Sequence, residues 1–154
     1  MDRVSKHNYY LDIAQTVAER GTCMRRLFGA IIVKDGKIIA SAHNNREQTN
    51  DATGHAELLA IRKACDELGG WHLEECTLYV TLEPCPMCMG AIVNSRIGKV
   101  VYGAKDAKAG ACGSVLDMRC YPLNHKPCVE HGALSTECAD ILSSFFKRRR
   151  GEKS

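Results

Sequence analysis

Apolar side chains recur along this chain with two periods, and the switches between them mark the secondary structure. Tyr10, Ile13, Ala14 and Val17 fall at i, i+3, i+4 and i+7, the stripe of an amphipathic helix, and Gly21 ends it. Residues 28–33 and 37–42 are instead short apolar runs rich in strand-forming residues. Asp35-Gly36 joins them, which predicts a hairpin with a two-residue turn. The polar stretch 44–53 reads as a loop. Thr53 is placed to cap a second helix, whose inner face carries Ala56, Leu59, Ala60, Ala64 and the stem of Lys63. Gly69-Gly70 stops it. Residues 77–82 read as a buried strand. Pro84 and Pro86 suit the first turn of a third helix over 85–94, where the N–H that proline lacks is not needed. Residues 97–102 form another strand.

Residues 104–126 show no period and read as a long irregular loop with room for a short helix, and connections of that length are often functional. Residues 128–130 suit a weak edge strand. A last helix over 136–150 carries Cys138, Ile141, Leu142, Phe145 and Phe146 as its stripe. This order of helices and strands predicts an α/β domain of three layers, α-β-α, with helices on both faces of a mixed, mostly five-stranded sheet.

Length and composition narrow this further. A chain of 154 residues is expected to form one domain, 1–154. With 45% apolar and 25% charged residues, it is neither disordered, collagen-like nor coiled coil as a whole. No apolar run approaches the roughly 20 residues that span a bilayer, and the first residues lack the apolar core of a signal peptide. The expectation is a soluble, cytoplasmic protein without a membrane partner. The net charge of +3 is uneven. Residues 147–154 form a basic tail of five cationic side chains against one acidic, while the rest is close to neutral. Such a cluster suits a phosphate-bearing partner or a merely solvated end.

Nine cysteines is an odd number, so they cannot all pair within the chain. Metal binding or catalysis then becomes a better account of them than a disulfide framework. Cys85 and Cys88, in Pro84-Cys85-Pro86-Met87-Cys88, are three apart and point to one side of a helical turn. They can grip one soft ion. His55, at the start of the second helix, is the natural third ligand, and zinc accepts two thiolates and an imidazole while leaving a position for water. Glu57 lies two residues from His55, so the two do not share a helix face. It is badly placed to be a fourth ligand and better placed to move a proton to and from water, whose pKa zinc lowers to about 7. A redox Cys-x-x-Cys, or a structural zinc completed by Cys76, Cys112 or Cys120, is the competing reading. Cys23, Cys65, Cys128 and Cys138 are expected to pack as small apolar residues.

His55-Ala56-Glu57 followed by Pro84-Cys85-x-x-Cys88 resembles the signature of the cytidine deaminase-like zinc deaminases. The segments 77–85, Gly90-Ala91 and 95–108, with Gly110, Gly113-Ser114, Leu123-Asn124-His125 and Ser143-Ser144-Phe145-Phe146, resemble in particular the bacterial tRNA-specific adenosine deaminases. That resemblance implies one zinc per chain on His55, Cys85 and Cys88, with Glu57 as the proton shuttle. It implies that Asn44 and the backbone near Leu82 and Glu83 seat the base. The loop at Lys105 and Asp106 would meet the neighbouring nucleotide. Phe145, Phe146, Arg148 and Arg149 would touch the tRNA anticodon stem-loop. It also implies a homodimer, and deamination of adenosine to inosine at the wobble position. Other segments point elsewhere: 22–29 resembles deoxycytidylate deaminases, and 50–55 with 60–65 resembles guanine deaminases. A deaminase of guanine or deoxycytidylate is therefore the alternative enzyme, and a zinc-stabilised binding module without turnover is the alternative outside enzymes.

Overall fold

The computed structural model describes residues 3–21, 28–45 and 49–131. Helix α1 (Arg3–Glu19) leads into strands β1 (Gly29–Lys34) and β2 (Lys37–His43). Helix α2 (Ala56–Leu68), strand β3 (Cys76–Leu82), helix α3 (Pro86–Asn94) and strand β4 (Lys99–Ala104) follow, then a single 3-10 turn (Met118–Cys120) and strand β5 (Cys128–His131). The five strands form one sheet in the order β2-β1-β3-β4-β5. β1 is antiparallel to both its neighbours, whereas β3, β4 and β5 run parallel, so the sheet is mixed.

Asp35 and Gly36, with φ of 50° and 75°, make the two-residue turn predicted between β1 and β2. Positive φ at both central residues matches the twist of the flanking strands, and glycine takes it without steric cost.

Alternation along the strands sorts side chains to two faces. Ile31, Val33, Tyr79 and Val101 meet Tyr10 and Leu11 of α1 on one face. Ala30, Ile32, Leu78, Val80 and Val100 meet α2 and α3 on the other. This is the expected three-layer α-β-α arrangement. A polar cluster ties the outer elements together. His7 of α1 lies 3.0 Å from the Tyr79 hydroxyl and 2.8 Å from Glu130 of β5, and Lys99 of β4 reaches the same carboxylate at 2.9 Å.

Several details differ from the expectation. His55, not Thr53, occupies the N-cap of α2 and makes no side-chain cap bond. Thr53 is diverted because Asp51 accepts hydrogen bonds from both its N–H and its hydroxyl. The fourth strand starts at Lys99 rather than residue 97, since the Ile97 N–H still bonds the Ile92 carbonyl at the exit of α3. The buried face of α1 is only partly the predicted stripe: Tyr10 and Ala14 are buried as expected, His7, Leu11, Gln15 and Ala18 join them, and Ile13 and Val17 are only partly buried. Cys128 is exposed rather than packed, because β5 is an edge strand. Cys23, Cys138 and the final helix lie outside the described residues.

Candidate active site

β2, α2, β3 and α3 converge at the ends that carry the predicted chemistry. Cys85 is the N-cap of α3, and Cys88 lies in its first turn behind Pro86. His55 is the N-cap of α2. The two sulfurs lie 3.6 Å (Cys85) and 3.5 Å (Cys88) from the Nδ1 of His55. A tetrahedral zinc, with Zn–S about 2.3 Å and Zn–N about 2.0–2.1 Å, requires a sulfur-to-nitrogen separation of about 3.6 Å. The donor set and its spacing therefore fit zinc. Among the described residues this is the one cluster of three metal-ligating side chains. The proposed fourth donors do not join it. Cys76 and Cys112 are buried in the main core, where the Cys112 thiol lies 3.5 Å from the Met89 sulfur, and Cys120 is exposed.

The two thiols are electrostatically coupled. The hydrogen bond with Cys88 draws Cys85 down to about 4, and His55 adds to this. Cys88 is pushed up by the same bond and by burial. A helix N-terminus beside both sulfurs favours a thiolate there.

Beside the triad lies a pocket of about 160 Å³, with His55, Glu57 and Cys85 in its wall. Asn44, Leu82, Glu83 and Asp106 also line it. This is smaller than the ~300–1,000 Å³ of sites that enclose drug-sized ligands, so it suits one planar base rather than a whole nucleotide. Glu57 is only 6% exposed, and burial pushes its carboxyl up to about 7. Asn44 is buried immediately after β2, and its side-chain oxygen accepts the Phe28 N–H at 3.0 Å.

Lys105 is not brought to this wall. Ala104 is buried at the end of β4, the chain turns outward at Lys105, and it turns back at Asp106. Phe145, Phe146, Arg148 and Arg149 lie outside the described residues.

Sequence reasoning missed Phe28, Gly54 and Ala109 in the pocket wall. It also missed the work of the Glu83 side chain. Its carboxylate is 1% exposed and turns away from the strand into the segment that follows β4. It accepts the N–H groups of Asp106 (3.2 Å), Cys112 (2.9 Å) and Ser114 (3.2 Å), together with the Ser114 hydroxyl. Burial raises its pKa, but these donors outweigh burial and hold it below the usual carboxylate value. The available signal was a charged residue closing an apolar strand, with Gly110 and Ser114 downstream.

A triad with the donor chemistry of zinc thus stands beside a buried carboxylate and a small pocket. Consistently, the cytidine and deoxycytidylate deaminase zinc-binding region matches residues 4–104. The tRNA-specific adenosine deaminase of Bacillus subtilis (strain 168) is 50% identical over 126 residues, covering 81% of this chain and 78% of that protein. A structure from studies of A-to-I editing by tRNA:A34 deaminases superposes with a TM-score of 0.83 at 39% identity, covering 88% of this chain and 99% of the other. The guanine deaminase of Bacillus subtilis superposes with a TM-score of 0.62 at 33% identity, over 97% and 95% of the two chains. The chain belongs to the cytidine and deoxycytidylate deaminase family, in the branch of the tRNA-specific adenosine deaminases.

Proposed function

We propose that the protein converts adenosine to inosine at the wobble position of tRNA, with water as co-substrate and ammonia as product. One observation carries this reading: the 50% identity to a tRNA-specific adenosine deaminase extends over most of both chains. His55, Cys85 and Cys88 hold one zinc per chain. The ion supplies Lewis-acid activation of water at neutral pH. Glu57 takes a proton from water and delivers it to the ring nitrogen as the water oxygen bonds to C6; it then takes the remaining proton of the C6 hydroxyl and passes it to the amino group, so that the oxygen becomes the inosine carbonyl. The C–N bond breaks as ammonia leaves, and the carboxylate is regenerated. The Asn44 amide and the backbone at Leu82 and Glu83 hold the base edge.

Splayed bases of an anticodon loop enter such a pocket without the cost of opening a duplex. Asp106 meets the neighbouring nucleotide, and Lys105, exposed beside it, meets phosphate. Phe145, Phe146, Arg148 and Arg149 supply a stacking surface and cations for the same loop. The whole chain acts as one deaminase domain with a basic tail at 147–154, as a homodimer in the cytoplasm. Among the described residues, no helix is long and apolar enough to cross a membrane.

The second reading is a guanine or deoxycytidylate deaminase: the guanine deaminase superposition supports the first, and the resemblance of residues 22–29 supports the second. Ammonia release from an anticodon stem-loop, compared with free guanine, cytidine and deoxycytidylate, decides between them. Turnover of the stem-loop but not the small molecules is the expected result. Turnover of a small molecule alone overturns the assignment.

A further inference from the structure

We propose that the side chain of Glu83 positions the nucleotide beside the target base, its carboxylate acting through the loop it holds rather than by touching substrate. The inference rests on the tRNA reading above. All four donors to its carboxylate belong to one segment, residues 106–114, and none comes from the sheet that carries Glu83. A carboxylate is a costly group to bury, and an apolar side chain would fill the same space at lower cost. What the charge adds is shape: it gives this loop a fixed set of acceptors to fold around.

The loop is built for that anchor. A Cβ on Gly110 would run into the Glu83 carboxyl group and the Asp106 carbonyl, so the chain closes round the carboxylate only with glycine there. Asp106 is set twice. Glu83 holds its N–H, and its own Oδ1 accepts the N–H groups of Lys108 (3.0 Å) and Ala109 (3.1 Å) in a tight turn. Asp106 and Ala109 then face the pocket. Glu83 itself lies two residues before Cys85, so one short segment carries both a metal ligand and the anchor of the loop. The place for the base and the place for its neighbour are thereby kept in register.

Separate backbone bonds keep the loop attached without the carboxylate. The Glu83 N–H bonds the Ala104 carbonyl, and the Ala111 N–H bonds the Pro84 carbonyl, both at 2.8 Å. Loss of the charge therefore loosens the 106–110 turn without detaching the segment.

The test compares wild type, Glu83→Gln and Gly110→Ala on an intact anticodon stem-loop. Two further stem-loops each have one neighbour of the target replaced by an abasic deoxyribose. Glutamine keeps one acceptor oxygen and turns an NH₂ toward the remaining donors, while the alanine methyl displaces the carboxylate from the loop side. Each variant should raise KM for the intact stem-loop about ten-fold, leave kcat within about two-fold, and retain bound zinc. On one of the abasic substrates the variant should add no further rise, because the contact it disturbs is already gone. Additive effects on both abasic substrates, or a fall in kcat at unchanged KM, overturn the proposal. A wild-type protein that turns over the stem-loop while the variants behave additively overturns this proposal alone. A wild type without activity on any stem-loop overturns the tRNA reading and the proposal together. Gly110→Ala keeps the question answerable if Glu83→Gln fails to fold.

Discussion

Two buried carboxylates border the same pocket, and they behave in opposite ways. Glu57, 6% exposed, is raised to about 7 by burial. Glu83, also almost without exposed surface, is held below its ordinary value because three N–H groups and a hydroxyl outweigh burial. Low exposure alone therefore does not set the character of a carboxyl group; the density of its surroundings and the donors aimed at it set it together. In the proposed reaction the first group exchanges protons while the second is a fixed charge. An acid–base group and a structural anchor thus stand side by side with the same side chain.

The sharpest way to break this contrast is activity. Glu57→Gln should lower turnover of the stem-loop by about 10³-fold while metal analysis still finds zinc. Glu83→Gln should act chiefly on KM. Equal losses of kcat in the two variants would erase the distinction, and loss of zinc from Glu57→Gln would make Glu57 a ligand.

Metal removal sharpens the same point. A ligand that binds only the folded state at about a thousand times its Kd adds about 4 kcal/mol, or roughly 10 °C in Tm for a chain of this size. Chelation should therefore lower the Tm of wild type and Glu57→Gln by similar amounts, and that of Cys88→Ser hardly at all. A Glu57→Gln protein insensitive to chelator would contradict the role given to Glu57.

The pH dependence of stability follows from the sign of the Glu83 shift. Its folded-state pKa lies below the ordinary value of 4.5, so its contribution is present above pH 4.5 and is lost as pH falls through the folded value. Urea midpoints of wild type should drop on the acid side of 4.5. Glu83→Gln should start lower at neutral pH and show a flatter acid limb, whereas Glu57→Gln should retain the wild-type acid limb. An unchanged acid limb in Glu83→Gln would mean that the carboxylate is not engaged in solution. The smallest effect is that of Ser114→Ala. It removes one of the four donors and should cost about 1–2 kcal/mol in urea unfolding, less than Glu83→Gln.

The site and the fold were legible in the sequence to different depths. The hairpin was readable because Asp35-Gly36 permits few other turns, and the metal triad because two thiols three apart and an imidazole at helix starts have few other joint uses. Local rivalry was not readable: Asp51 captures Thr53 and leaves His55 as the cap. Nor was direction within an irregular segment. Spacing gives no period there, so it could not tell that Lys105 faces outward while Asp106 turns in. Glu83 was singled out for its backbone, and its side chain went unread because all its donors lie beyond β4.

The two halves of the sheet also differ in how they must assemble. The β1–β2 hairpin closes over two residues, a step of the order of microseconds in isolation. β5 joins the sheet in parallel to β4 through the connection of residues 105–127, and such non-local pairing is intrinsically slower because a longer loop must be ordered first. The metal ligands sit on elements completed before that crossover, whereas Asp106 and Ala109 sit within it. Folding order would then divide the site in time, with its metal-binding side able to form while the wall that meets the substrate's neighbour is still being laid down.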